Sequence, residues 1–458
     1  MAALAEILAD RGALISGSDT PETFYTDRIL RRLGIPYAES FDPANVPEDT
    51  RLVIHSEAYD PDENPELSAA VQRGIPVLNY PQALGLLSES ADSSGIAGTH
   101  GKTTTAALSG TILKAWRLPV TVLVGSEVAG FGDRSTLILG RKYLIAETCE
   151  YRRHFLYFHP RRVVMTSVEA DHLDYFTGID DVMEAFTAYA DNLIPHGQLI
   201  VNRDDPGACE VAERIRKRRR DVRIIPYGTK AGGRFRIVRI ETTEGSTRFR
   251  VAGWEKDLYL HVPGRHSAYN AAAALALGAS ILEEEGYAVD DARLESLSHA
   301  LEDFRGSRRR SEILGTAQGV LFIDDYGHHP TEIATTLAGL KSFYPGRRII
   351  ADFMSHTYSR TKALLAEFGT CFADADLVIL HRIYASAREQ NDGSVDGRTL
   401  FREVQRRHRQ VVYFEEPEEA IPFLRDTLRS GDLLVTMGAG DNWRIGRDIY
   451  QKTLEAEK

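Results

Sequence analysis

The sequence predicts an α/β protein of three consecutive units, and three observations carry that prediction. Short apolar runs alternate with helix-periodic stretches along the whole 458-residue chain, the pattern of parallel strands joined by crossover helices. A glycine-rich loop at 98–105 interrupts that pattern between an apolar lead and a helical run. A patch of short alternating strands at 235–260 then precedes a second βα series that opens near residue 310. A chain of this length holds two or three domains with separate cores, and it carries no fixed-period repeat.

Composition narrows the function classes. An apolar share of 43% and a charged share of 26% are those of an ordinary globular protein. A formal charge of −11 argues against general nucleic-acid binding, which relies on basic surface to release counterions. The basic run from Arg214 to Arg220 continues a helical pattern and reads as a solvated helix end. No run approaches the roughly 18 apolar residues of a membrane span, and no charged-then-apolar leader precedes the first helix. Cys149, Cys209 and Cys371 have neither metal nor disulfide spacing, which fits a reducing cytoplasm.

The first unit, 1–92, reads as helix 4–11, strand 14–17, helix 25–33, strand 52–55, helix 65–73 and strand 76–79, a parallel sheet. The small polar stretch 88–94 reads as a linker. The second unit, 93–308, follows the glycine loop with strands at 120–124, 143–146, 163–168, 199–202 and 223–227. Its antiparallel appendage at 235–260 turns at Glu244-Gly245 and Ala252-Gly253, and a helix with a small apolar face follows at 268–281. The third unit, 309–458, alternates strands 320–323, 348–353, 377–380, 411–414 and 433–437 with helices such as 331–341 and 360–368.

The loop Gly98-Thr99-His100-Gly101-Lys102-Thr103-Thr104-Thr105 carries the strongest chemical signal. Strand, glycine loop and helix N-terminus together wrap phosphates with backbone N–H groups. Lys102 belongs on the β- and γ-phosphates of a nucleotide, and the Thr103 hydroxyl on Mg²⁺. The generic nucleotide loop has a further glycine five residues before the Gly-Lys pair, where this chain has Ile96.

Five further segments follow in order. Ala146-Glu147-Thr148-Cys149-Glu150-Tyr151-Arg152-Arg153-His154 puts two carboxylates at a strand end, placed to hold Mg²⁺ directly or through water. Either Glu147 or Glu150 is the ligand, with Glu150 favoured. Glu169-Ala170-Asp171-His172-Leu173-Asp174 follows the next strand. Gly264-Arg265-His266-Ser267-Ala268-Tyr269-Asn270 opens the small-residue helix with an amide able to read an adenine edge. Phe304-Arg305-Gly306-Ser307-Arg308-Arg309-Arg310-Ser311-Glu312 leads to Asp324-Asp325-Tyr326-Gly327-His328-His329-Pro330-Thr331-Glu332. Adjacent histidines suggest zinc on composition alone, but no cysteine or spaced histidine completes a tetrahedral site. Last comes Ser355-His356-Thr357-Tyr358-Ser359-Arg360-Thr361, where an arginine suits a carboxylate or phosphate.

Taken together, these segments resemble the Mur ligases over essentially the whole chain. The likeness is strongest to the members that add L-alanine to UDP-N-acetylmuramate. It implies a Rossmann-like N-terminal domain for the sugar nucleotide, a central P-loop ATPase domain and a C-terminal α/β domain that closes over the site. It further implies that the loop residues Gly98 to Thr104 bind ATP, that His172 holds a second metal ion, and that His266 and Asn270 lie against adenine. On the same likeness Arg309 approaches the phosphates, Asp324 or Asp325 touches the ribose, His328 lies near the transferring phosphate, and Tyr326 lies near the amino acid. His356 and Arg360 face substrate carboxylates and phosphates, while Ser16, Asp19 and Ser56 belong to the sugar-nucleotide site. Some sister ligases carry a carbamylated lysine, but no lysine lies between Lys142 and Lys217, so none is expected.

Two departures qualify the resemblance. The family's first strand and Gly-x-Gly-Gly-x-Gly pyrophosphate loop have no counterpart before Met1-Ala2-Ala3-Leu4. Either Met1 is an internal start or the gene lacks the loop; in both cases weak sugar-nucleotide binding is expected. Where the family has Asp before Ile-Tyr, this chain has Arg382. The expected activity is ATP-dependent amide ligation in the cytoplasm, with ATP, Mg²⁺, UDP-N-acetylmuramate and L-alanine, no nucleic acid and no membrane. The alternatives are another Mur-type ligase, such as the muropeptide-recycling one, and a nucleotide-binding protein without ligase activity.

Overall fold

The strand Asp92–Ala97 sits at the centre of the largest sheet in the computed structural model, which describes residues 1–22, 27–173, 175–385 and 393–457. That sheet has seven strands, in the order Arg223–Tyr227, Gln198–Asn202, Arg162–Met165, Asp92–Ala97, Tyr143–Glu147, Val120–Val128 and Arg134–Ile138. All pairings are parallel except the last, an antiparallel hairpin. Ser93 and Ser94 lie buried in the central strand, so 88–94 is not the linker expected from its polarity. The next residue, Gly95, must be small because Tyr189 presses on it: a Cβ there would lie 1.9 Å from the tyrosine hydroxyl. A helix at Tyr80–Glu89 runs straight into this strand.

The helix after the glycine loop, Lys102–Ala115, packs on His266–Glu284. Alanines 271–274, 276 and 279 let the two axes approach, and Gly278 faces Trp116. The appendage is a three-stranded antiparallel sheet, Ile237–Thr243, Ser246–Val251 and Asp257–Leu260, with turns where the sequence places them. The third unit holds a six-stranded sheet whose first hairpin, Glu312–Ala317 with Val320–Asp325, is antiparallel; the remaining pairings are parallel.

The N-terminal residues differ most from expectation. The single parallel sheet is two separate two-stranded parallel ladders, Gly17–Ser18 with Tyr37–Ala38 and Val53–His55 with Val77–Asn79. No strand among the described residues joins them. Leu14 is fully exposed, and the strand expected at 14–17 is reduced to its end. The helix Ala2–Asp10 docks instead on the middle sheet: Leu4 and Ile7 join its core and Glu6 accepts from Thr136. Helix 25–33 is seen from Asp27, its earlier residues lying outside the described ones. Helix 360–368 is two short helices, Tyr358–Ala363 and Leu365–Phe368, broken at Leu364. Among the described residues no helix is long and apolar enough to cross a membrane.

Candidate functional site

The glycine loop leaves the C-terminal end of the central strand in a conformation that two of its residues alone permit. Gly98 has φ +143°, and a Cβ there would lie 2.0 Å from Thr166 Oγ1. Gly101 has φ +79°, and a Cβ there would lie 2.7 Å from Asn270 Oδ1. Glycine is the residue that takes such angles without steric cost. Ser167 fixes the turn by accepting from Thr99 N at 3.0 Å and, through Oγ, from His100 N at 2.9 Å.

Both strand-end carboxylates reach the loop, each by a different residue. Lys102 Nζ donates to Glu150 Oε1 at 2.9 Å and to the carbonyls of Gly98 and Thr99. Burial alone would lower the Lys102 pKa, but Glu150 raises it, so the ammonium is held charged. Thr103 Oγ1 donates to Glu147 Oε1 at 3.0 Å, and Glu147 Oε2 accepts from Gly125 N at 2.8 Å. His172, itself at φ +52°, brings Nε2 to 3.8 Å from Glu150 Oε1. Among the described residues Glu150 Oε2 is buried with no hydrogen-bond partner. The carboxylates and the hydroxyl offer the oxygen ligands a hard divalent cation takes, at two points: Glu147 beside Thr103, and Glu150 beside Lys102 and His172. Asp174, from the same motif as His172, lies outside the described residues.

Beside the loop a cavity of about 410 Å³ opens between the middle and third units, a size suited to a nucleotide. His100, Gly101, Thr103 and Thr104 form one end, and His266 and Asn270 line the wall. Burial lowers the His266 pKa and keeps that ring neutral. Asn202 and Tyr227, which lie outside the motifs, also line it, as do Tyr269 and Phe304 from within them. Of the two adjacent aspartates, Asp325 lines the cavity. Its Oδ2 accepts from Ser311 N and Oγ, and its Oδ1 from Gly327 N. Asp324 turns away, fully buried against Thr436 and Arg309. Likewise Arg310 lines the cavity, whereas Arg309 lies off it, pairing with Asp324 and donating to the Gly438 carbonyl at 2.7 Å.

The third unit brings Tyr326, His328, His356 and Arg360 together at its strand ends. The His328 ring lies 5.3 Å from Tyr326 and 6.2 Å from His356, and Arg360 Nη1 is 3.3 Å from His356 Nδ1. His328 Nδ1–H donates to the Tyr326 carbonyl at 3.0 Å, leaving Nε2 as an acceptor. Burial, reinforced by Arg360, pushes the His328 pKa down to about 3, so the ring is neutral. Arg360 binds Asp171 of the middle unit, a partner inside a motif already singled out for its neighbour His172. Ser16, Asp19 and Ser56 stand apart and do not line the cavity; Asp19 Oδ1 accepts from the Tyr59 hydroxyl at 3.1 Å. Arg382 pairs with Glu416 at 2.8 Å; Ser386 to Glu389, which follow it, lie outside the described residues.

Comparison with known proteins agrees along the chain. The family model for the Mur ligase family, catalytic domain, matches residues 1–91; that for the Mur ligase middle domain matches 96–278; that for the Mur ligase, glutamate ligase domain, matches 309–440. A UDP-N-acetylmuramate–L-alanine ligase of Treponema pallidum is 49% identical over 450 residues, 98% of this chain and 94% of that protein. The crystal structure of a UDP-N-acetylmuramate–alanine ligase from Thermotoga maritima is similar at TM-score 0.79 and 24% identity, covering 100% of this chain and 97% of that one. A murein peptide ligase from Psychrobacter arcticus is similar at TM-score 0.66 and 19% identity, covering 99% and 95%.

Proposed function

The chain belongs to the Mur ligase family, and we propose that it joins L-alanine to the carboxylate of UDP-N-acetylmuramate at the expense of ATP, in peptidoglycan synthesis. The observation that carries this reading is the near full-length identity to ligases of that name. The geometry supports it: a phosphate-binding loop and a set of carboxylate-binding side chains face one another from two units.

In this reading a muramyl carboxylate oxygen attacks the γ-phosphorus of ATP and ADP leaves. The alanine nitrogen then attacks the acyl carbon, and the tetrahedral intermediate expels inorganic phosphate while the amine loses a proton. Such chemistry depends on positioning and charge neutralisation more than on covalent help. Lys102 and the loop N–H groups hold the β- and γ-phosphates. His266, Asn270 and Asp325 line the wall for adenosine, with Asp325 rather than Asp324 toward the ribose. Arg360 and His356 take the substrate carboxylate or acyl phosphate, and Tyr326 lies beside the amino acid. Neutral His328 offers Nε2 to the amine proton. Thr103, Glu147, Glu150 and His172 would hold Mg²⁺, which would neutralise charge on the phosphates. Ser16, Asp19 and Ser56 are assigned to the sugar nucleotide, and the cytoplasm is where these substrates would be met.

The test is to incubate the protein with ATP, UDP-N-acetylmuramate and one amino acid at a time, measuring phosphate. L-Alanine should support release and exceed glycine by about 10–200-fold, the worth of one methyl in an apolar pocket. Release with a tripeptide but not with L-alanine would move the chain to peptide recycling. Nucleotide binding without release under any condition would remove ligase activity altogether.

A further inference from the structure

We propose that His100 is a positioning residue that ties the phosphate loop to the third unit and, through Glu332, to the backbone of His328. The proposal rests on the ligase reading above for its effect on turnover, though the tie itself is a matter of structure. His100 divides its contacts between two units. Its main chain is held within the middle unit, where N donates to Ser167 Oγ and the carbonyl accepts from Thr166 Oγ1. Its side chain reaches across, with Nδ1 3.1 Å from Glu332 Oε1 and Nε2 3.5 Å from Glu169 Oε2. Glu332 belongs to the helix Pro330–Phe343, and its other oxygen accepts from His328 N at 3.1 Å and His329 N at 3.4 Å. The carboxylate touching the loop imidazole therefore also orients the segment that presents His328. A second strand of the tie runs from Glu169 Oε2 to Thr331 Oγ1 at 3.1 Å.

The charges agree with this geometry. Burial would lower the His100 pKa, but Glu169 and Glu332 raise it to about 10, so an imidazolium lies between two carboxylates. His100, Glu169 and His329 have ligand atoms within 4.8 Å of one another, a spacing a metal ion also uses, and they supply the spaced partner that sequence did not. The hydrogen bonds favour an ion pair. His329 Nδ1 accepts from Thr331 N at 3.2 Å, so its Nε2 carries the ring proton and has no lone pair for a metal. His100 takes its charge from the carboxylates on either side.

The experiment is a double-mutant cycle in the full-length protein with His100→Ala and Glu332→Gln; Gln keeps the helix capping box while removing the charge. Two quantities are read: turnover with the affinity for a non-hydrolysable ATP analogue, and thermal unfolding in the presence of that analogue. His100→Ala should lower kcat by about tenfold while analogue affinity changes less than about threefold, and adding Glu332→Gln should cost little more. His100→Gln, which keeps one donor, should recover part of the loss. Additive effects of the two substitutions on unfolding overturn the tie. So does an unchanged kcat, or a loss of analogue affinity as large as the loss in kcat/KM, which would make His100 a nucleotide ligand. Non-additive unfolding in a protein whose wild type ligates nothing upholds the tie and counts against the ligase reading.

Discussion

Arg360 and Asp171 form a buried ion pair across two units. Arg360 Nη2 and Nε reach the same oxygen, Asp171 Oδ1, at 2.8 and 3.1 Å, and each side chain is only 8% exposed. Burial would raise the Asp171 pKa, but Arg360 outweighs it and holds the carboxyl well below the usual range. The pair thus stays charged and joins the segment carrying His172 to the segment carrying His356.

Removing one partner leaves the other buried and uncompensated. Arg360→Met and Asp171→Asn should each cost about 3–5 kcal/mol of unfolding free energy, and the double variant less than their sum. Urea denaturation reads all four proteins. A loss below about 1 kcal/mol for both singles would show that the pair is solvated in solution.

Lys102→Ala should lower phosphate release by about 10²–10³-fold, the usual loss for one electrostatic contact to developing charge. It should also lower the melting temperature, because Glu150 would stay buried without its cation. Lys102→Ala with Glu150→Gln should regain melting temperature without regaining turnover. Activity above a tenth of wild type in Lys102→Ala would remove the loop from the mechanism.

Metal dependence should divide between the two carboxylates. Glu147→Gln leaves one acceptor oxygen where Thr103 Oγ1 and Gly125 N now have two and removes the charge, and Glu150→Gln removes the charge at an oxygen that is buried without a partner among the described residues. Each should raise the Mg²⁺ needed for half-maximal rate, and His172→Ala should do so with Glu150 present. A Mg²⁺ titration of phosphate release measures this. An effect from Glu147→Gln alone would confine the ion to the Thr103 side.

Asp324 gives a pH dependence with a defined sign. Burial pushes its pKa up to about 6 against the pull of Arg309, so the folded state binds this proton more tightly than the unfolded chain, whose carboxyl titrates near ~3.9. Its contribution to stability therefore falls as pH rises from about 4 to about 6 and is level above that. Asp324→Asn lacks the effect and should gain about 1–3 kcal/mol relative to wild type across that window. Urea midpoints between about pH 4 and 7 test it; a difference that does not change with pH would place the Asp324 pKa at its ordinary value.

The elements that were legible in sequence are those whose signal is local. The helix after the loop, the antiparallel appendage and the strands of the third unit all show their own hydrophobic period and turn residues. Polarity is misleading at 88–94, where Ser93 and Ser94 are buried in the central strand, a burial set by neighbouring strands far away in the chain. Leu14 misled in the opposite sense, being apolar and fully exposed. Arg310 and Asp171 lie one position from Arg309 and His172, inside the same motifs. Their roles depend on which unit faces them.

Sequence alone determined the loop that leaves the central strand, the glycines that shape it and the order of the carboxylate, histidine and arginine segments. Each of these is a local matter of residue type and spacing. Tertiary structure decided the partners: Glu147 to Thr103, Glu150 to Lys102, Arg360 to Asp171, and Asp325 rather than Asp324 to the cavity. Successive residues on a strand point to opposite faces, so adjacent aspartates must part company, but the chain does not record which face will meet the cavity. Strand order and the docking of the third unit on the middle one determine that, through contacts between residues hundreds of positions apart.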